Sequence, residues 1–236
     1  LTSTLRTGKN AIGVMLGNGL FARKEMRDFG PLVMIAQLHI KFADGSSTNI
    51  VSDGTWKAHE SPFTLTNFDA TEHYDARTAV DGWDSPGIDD SKWENAVVAK
   101  VPEGKLIAQN SPPVIARKTF KPVRVSSPAP GILGYDFGQN MSGTFDFKVS
   151  GPPGAVVKVF PGEDTTANGR ILLGRTKGCN YQLNGKGAER GGLSFSCIGF
   201  RNLEFREVSK GTPVLTLPVV RKANAHIVYS ASQETG

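Results

Sequence analysis

Cysteine is almost absent from the 236 residues. Cys179 and Cys197 stand alone, too few for a disulfide scaffold and without the spacing of a zinc site. Long apolar runs are missing as well: the longest strongly apolar stretch, LVMIAQLHIKF from Leu32 to Phe42, is short and carries Gln37, His39 and Lys41. No segment therefore reads as a bilayer-crossing helix, and no membrane partner is expected. Charge is present but not concentrated. Lys and Arg number 27 against 22 Asp and Glu, a net +5, yet no basic run of five or six occurs. With no basic-aromatic alternation and no RNP or zinc-finger spacing, nucleic acid is set aside as a partner. The first ten residues, LTSTLRTGKN, lack the apolar stretch of a secretory signal. Sustained helical periodicity is lacking throughout, as are G-x-S-x-G, H-E-x-x-H and P-loop motifs, so the residues nominate no catalytic group.

What is there is a succession of short strand-like runs separated by turn residues. AIGVML (Ala11 to Leu16) closes on GNG, and LVMIAQLHIKF ends in alternation, with Leu38, Ile40 and Phe42 on one face and His39 and Lys41 on the other. TNIVS after the ADGSS turn is its plausible hairpin partner. Pro and Ser cluster in VRVSSPAPG, Val123 to Gly131, which reads as a domain boundary. Beyond it ILGYDFGQ, GTFDFKVS, AVVKVF, CNYQL, LSFSC, NLEFREV, PVLTL and ANAHIVYS follow at the regular spacing of a sandwich. The expectation is an all-β protein of two consecutive antiparallel, jelly-roll-like β-sandwiches, residues 1–124 and 125–236. CNYQL and LSFSC flank a turn-rich segment, so Cys179 and Cys197 are expected either to meet across a hairpin as a disulfide or to remain two buried thiols.

Acids, aromatics and turn residues crowd into one stretch, Asn67 to Trp93. An aromatic face against the C–H surface of a sugar, with carboxylate, amide and guanidinium groups on its hydroxyls, is how a β-sandwich holds carbohydrate. Tyr74 and Trp83 can supply the first element; Asn67, Asp69, Glu72, Asp75 and Arg77 can supply the second. Asp69 and Glu72 also offer oxygen ligands to a hard cation such as calcium. The alternative is a surface loop whose acids shape turns, whose tryptophans Trp83 and Trp93 plug the core, and whose Asp75 and Arg77 form a structural ion pair. In DFGQN (Asp136 to Asn140) the expectation is structural: Asp136 and Asn140 capping backbone N–H groups and Gly138 at positive φ. The sequon Asn140-Met141-Ser142 fits an exported protein.

Several of these landmarks, in order, resemble the multidomain α-L-rhamnosidases. They are AIGVMLGNGLF (Ala11 to Phe21), SDGTWK (Ser52 to Lys57), EHYDAR (Glu72 to Arg77), GWDSPGIDDSKWENA (Gly82 to Ala96), YDFGQNMSG (Tyr135 to Gly143) and GFRNLEF (Gly199 to Phe205). The resemblance implies a parent enzyme that releases terminal α-L-rhamnose by inverting hydrolysis, a reaction needing a general acid and base on opposite sides of the scissile bond. It implies a first sandwich short of its leading strands and a catalytic α-helical barrel following at about Ser230, whose acidic motifs do not occur here. Related first sandwiches include calcium-dependent rhamnose-binding modules. The chain is thus expected to be inactive alone, to need no cofactor except calcium if the acidic loop binds it, and to scaffold the barrel while holding a rhamnose-containing glycan. It is expected outside the cell. A free-standing lectin-like protein and a ligand-free structural module are the competing readings.

Overall fold

The computed structural model describes residues 2–23, 27–67, 71–100, 105, 107–172, 178–208 and 218–232. Sixteen strands run through them, and the one helical element is a single 3-10 turn at Thr2–Thr4. In chain order the strands are β1 (Ala22–Arg23), β2 (Arg27–Asp28), β3 (Gln37–Lys41), β4 (Ser47–Val51), β5 (Lys57–Ala58), β6 (Phe63–Thr66), β7 (Glu72–Asp75) and β8 (Glu94–Asn95). They continue as β9 (Val114–Phe120), β10 (Arg124–Ala129), β11 (Ile132–Ser150), β12 (Val156–Gly162), β13 (Cys179–Gln182), β14 (Glu189–Gly192), β15 (Ile198–Val208) and β16 (Val219–Ser230). The all-β expectation holds. AIGVML, although apolar, forms no strand, and PVLTL lies outside the described residues.

Two compact units divide the chain, and no single cut after Arg124 separates them. The first comprises Leu1–Leu16, Phe29–Ser61 and Val80–Ile107; the second comprises Gly17–Asp28, Pro62–Ala79 and Ala108–Gly236. Pro62–Ala79 belongs to the second because β7 pairs in parallel with β13, Tyr74 opposite Tyr181, and β6 pairs with β7. The Pro- and Ser-bearing segment expected to be a boundary is largely strand β10, antiparallel to β11. Its prolines are tolerated because Pro128 sits where the register slips, between Ser126 and Ala129, and needs no ladder donor there.

In the first unit β3 and β4 form the expected hairpin, Leu38 opposite Ile50 and Ile40 opposite Thr48, and β5 pairs with β8. Asp44 makes the ADGSS turn by accepting from the Ser46 N–H at 2.9 Å. Gly13 lies so close to the Trp83 ring that a Cβ there would collide with it, so the tryptophan covers backbone that only glycine allows. No described residue of this unit is fully buried.

The second unit is a sandwich folded about β11, a strand of 19 residues. Ile132 to Asp136 pairs with β10 and β15, Met141 to Gly143 continues along β15, and from Gly143 to Ser150 the strand pairs with β16, with Asp146 to Val149 also on β14. Ten strands belong to one hydrogen-bonded sheet, ordered β6, β7, β13, β12, β15, β11, β16 and β9, with β10 and β14 also on β11. The sheet curls at β11, so that β6 to β15 form one layer and the end of β11, β16 and β9 the other. Register slips between Asp136 and Met141, at DFGQN, as it does at a β-bulge. There Gly138 has φ of 82°, its N–H donates to the Asp136 carboxylate at 2.8 Å, and the Met141 N–H donates to Asn140 Oδ1 at 3.1 Å. The expected capping roles are borne out.

Strand alternation fills the space between the layers with rings. Phe145 and Phe147 project inward from β11, Phe145 edge-on to Phe200 and Phe147 edge-on to both Phe205 and Tyr181. Val149, Val159, Leu183 and Leu203 complete a core from which solvent is excluded. Truncating Phe145→Ala is expected to destabilise the chain by about 4 kcal/mol. Val97→Ser, at a side chain 91% exposed, is expected to shift stability by less than about 0.5 kcal/mol. Urea unfolding followed by tryptophan fluorescence and circular dichroism measures both.

Candidate functional site

Strand β7 carries three of the acidic and aromatic candidates, Glu72, Tyr74 and Asp75, and its period of two sends them to opposite faces. Glu72 and Tyr74 point into the sandwich. Tyr74 stacks on Tyr181, ring centroids 5.1 Å apart and planes 11° from parallel, and meets Phe63 edge-on. His73 and Asp75 point the other way.

Glu72 is 2% exposed, and both of its carboxylate oxygens are engaged. The backbone N–H of Ser194 donates to Oε2 at 2.8 Å, that of Phe195 to Oε1 at 3.0 Å, and the Ser196 hydroxyl lies 2.8 Å from Oε1. The same hydroxyl lies 2.8 Å from the carbonyl oxygen of Asn67. A buried carboxylate persists only with such a shell of donors. Glu72 thus pins the Ser194 to Ser196 turn, 122 residues downstream, to β7. Asn67 contributes backbone groups, its N–H donating to the Thr71 carbonyl at 2.9 Å. Asp69, the other expected calcium ligand, lies outside the described residues. Among the described residues no group of three or more His, Cys, Asp or Glu is placed to hold a metal ion. Trp83 belongs to the first unit, where it packs over Gly13.

Asp75 and Arg77 form the bidentate pair that the sequence offered as the structural alternative. Arg77 donates from Nε to Oδ1 at 2.9 Å and from Nη2 to Oδ2 at 2.7 Å, and its Nη2 also reaches Gln182 Oε1 at 3.2 Å. These bonds from Arg77 hold the Asp75 carboxyl below its ordinary value against the opposing effect of burial. Half of the Arg77 side chain stays exposed, so the group remains open to solvent on the outer face.

The structure adds a charged cluster that sequence reasoning missed. Glu204 on β15, 1% exposed, accepts two bonds from Arg170 at 3.0 Å each, one from the Ile171 N–H at 2.9 Å, and one from Arg206. Burial alone would raise the Glu204 carboxyl, but the bonds from Arg170, Ile171 and Arg206 outweigh it and the group sits below its usual range. Arg206 also lies 4.3 Å from the centroid of the Phe160 ring. The only sequence signal was alternation in NLEFREV, which placed Glu204 and Arg206 on one face without revealing that Arg170 returns to them. Elsewhere Asp136 is bridged to Arg201 at 2.8 Å, and the Asn140 amide of the sequon donates to Glu163 at 3.0 Å. Cys179 and Cys197 are both free; Cys179 is buried, its thiol pushed up to about 12 by burial and by the charge of Glu72, whereas Cys197 is exposed.

Comparison with known proteins places this arrangement. Residues 1–118 match the α-L-rhamnosidase N-terminal domain, and residues 128–222 match the bacterial α-L-rhamnosidase concanavalin-like domain. The chain belongs to the α-L-rhamnosidase family. An α-L-rhamnosidase of Streptomyces avermitilis is 34% identical over 86% of this chain and 21% of its own length. One from Formosa agariphila is 31% identical over the whole of this chain and 26% of its own. The solved α-L-rhamnosidase from Dictyoglumus thermophilum superposes with a TM-score of 0.72 and 35% identity, over 84% of this chain and 22% of that one. The chain thus spans between a fifth and about a quarter of the length of these relatives.

Two measurements follow from the buried acids of this family member. Glu72→Ala removes the acceptor for two backbone N–H groups and is expected to cost about 3 kcal/mol in urea unfolding. Glu204→Gln leaves two arginines without their carboxylate and should cost about 3 kcal/mol at pH 7. Because the folded carboxyl of Glu204 is lowered, its contribution is complete above the unfolded value of about 4.3 and is lost as pH falls through the folded value. The gap between wild type and Glu204→Gln should therefore narrow from pH 6 to pH 3, and a constant gap would contradict the assignment.

Proposed function

We propose that this chain is the non-catalytic N-terminal portion of an α-L-rhamnosidase that hydrolyses terminal α-L-rhamnose. In that parent it would scaffold a catalytic α-helical barrel and hold a rhamnose-containing glycan outside the cell. The observation that carries the reading is the tandem match, in order, of the family's N-terminal and concanavalin-like domains over a chain that spans only about a quarter of its curated relatives. The acids of this chain support the non-catalytic role: Glu72 and Glu204 are locked into internal bonds, and Asp75 is paired with Arg77. Sugar contact on this unit is assigned to the outer face of β7 and β13, where Asp75, Arg77 and Gln182 offer a carboxylate, a guanidinium and an amide to hydroxyls. Holding polymer there raises its concentration near a linked active site.

The test compares this chain with the full-length product of its gene on an aryl α-L-rhamnoside. Rhamnose release is expected from the full-length protein and none from the chain. Turnover by the chain itself, abolished by substitution of one of its carboxylates, would overturn the non-catalytic assignment. A gene product that ends near Gly236 and binds rhamnosides without hydrolysing them would instead favour the free-standing lectin-like reading.

A further inference from the structure

One layer of the second unit has its inner face filled by the aromatic core, and the strand registers dictate what stands on its outer face. His73 on β7 is opposite Asn180 on β13, Asn180 is opposite Lys158 on β12, and Lys158 is opposite Arg206 on β15. Residues directly opposite one another share a face. Their chain neighbours Tyr74, Cys179, Tyr181, Val157, Val159 and Phe205 pack in or against the core, so the four side chains form a row on the outside. Three strand spacings of about 4.8 Å make that row about 14 Å long. All four residues are partly exposed.

Every member of the row can donate a hydrogen bond: an imidazole, an amide, an ammonium and a guanidinium. Among the described residues no hydrogen bond or ion pair engages the side chain of His73, Asn180 or Lys158. Among the described residues, charge beside the row is positive on balance. Glu204 is shared by Arg170 and Arg206, which leaves one positive charge, and Lys158 supplies a second. The adjacent carboxylate, Asp75, is already neutralised by Arg77. The Arg206 guanidinium lies over the Phe160 ring and is bonded to Glu204, so its direction is set before any ligand arrives. Burial, and then the charge of Lys158, hold the His73 imidazole below its ordinary value. A line of donors with a net positive charge, and with no aromatic ring left bare beside it, suits recognition by charge and hydrogen bonding in preference to stacking.

We propose that the row His73, Asn180, Lys158 and Arg206 binds an anionic polysaccharide, a sugar chain bearing carboxylate or sulfate groups, laid across the four strands. The length of the row exceeds that of a single small anion and matches an extended polymer. The choice of a glycan over other polyanions rests on the proposed role as part of a carbohydrate-acting enzyme. Neutral rhamnosyl groups alone would make no use of the charge; an acidic polymer that carries them would use both.

Affinity electrophoresis of the chain through gels containing polygalacturonate, dextran sulfate or neutral dextran tests this directly. Retardation is expected in one or both charged polymers, weakening with added salt, and none in dextran; the two charged gels separate carboxylate from sulfate recognition. Lys158→Ala and Lys158→Gln should each weaken retention about tenfold, with unfolding midpoints unchanged. Lys148→Ala and Lys222→Ala, on paired strands of the other layer, should leave retention intact. No retention in either charged gel overturns the proposal. So does equal loss with Lys222→Ala, which would mean a diffuse basic surface, or equal retention by duplex DNA. The rhamnoside assay on the full-length product reads the hydrolase assignment separately: retention lost in Lys158→Ala without any rhamnosidase activity leaves the row and removes the parent reading, and the converse removes the row.

Discussion

Inward packing of Phe145 and Phe147 from the bent strand β11 is the contact on which the second unit depends. Those two rings meet Phe200, Phe205 and Tyr181 edge-on, so one strand welds both layers of the sandwich. Before β11 passes from β15 to β16 at Gly143 it bulges at DFGQN, with Gly138 at positive φ and Asp136 and Asn140 accepting the backbone N–H groups that the bulge releases. Asp136 is in turn bonded by Arg201 of β15, which ties the bulge to the neighbouring strand. A family landmark is thus, physically, a bulge in the central strand.

Once the aromatic layer is in place, β7 has no choice about which side chains it hides. Tyr74 joins the ring stack, so Glu72, two residues earlier, must also be inside. A carboxylate there is tolerated because the Ser194 to Ser196 turn surrounds it with donors. The same alternation turns His73 and Asp75 outward, next to Asn180 and Gln182 of β13. Burial on one face and a row of donors on the other are therefore two results of one register.

Much of this was legible in the residues. The short runs, Gly-rich turns and absence of helical periodicity identified an all-β chain, the ordered motifs pointed to the α-L-rhamnosidases, and the Asp75 to Arg77 pair and the DFGQN caps were readable because they are local, spanning five residues or fewer. Less legible was the grouping of the carbohydrate candidates. Asn67, Glu72, Tyr74, Asp75, Arg77 and Trp83 cluster in sequence, but Trp83 falls in the first compact unit, Glu72 and Tyr74 face the core, and among the described candidates Asp75 and Arg77 are the pair bonded together at the outer face. VRVSSPAPG lies where one matched family domain gives way to the next, between residues 118 and 128, but most of it is strand, since Pro128 falls where the ladder has already slipped.

By itself the sequence determined what depends on neighbours along the chain: strand class, turn chemistry, alternation within each strand and family membership. Tertiary structure alone decided which strands lie side by side. Tyr74 meets Tyr181, Glu72 meets Ser194 and Arg170 meets Glu204 only after non-local pairing. A period of two says that residues 72 and 74 share a face; it cannot say whether that face meets water or a second layer. That choice is made by the apolar area the second layer buries, a property of strands more than a hundred residues away in the chain.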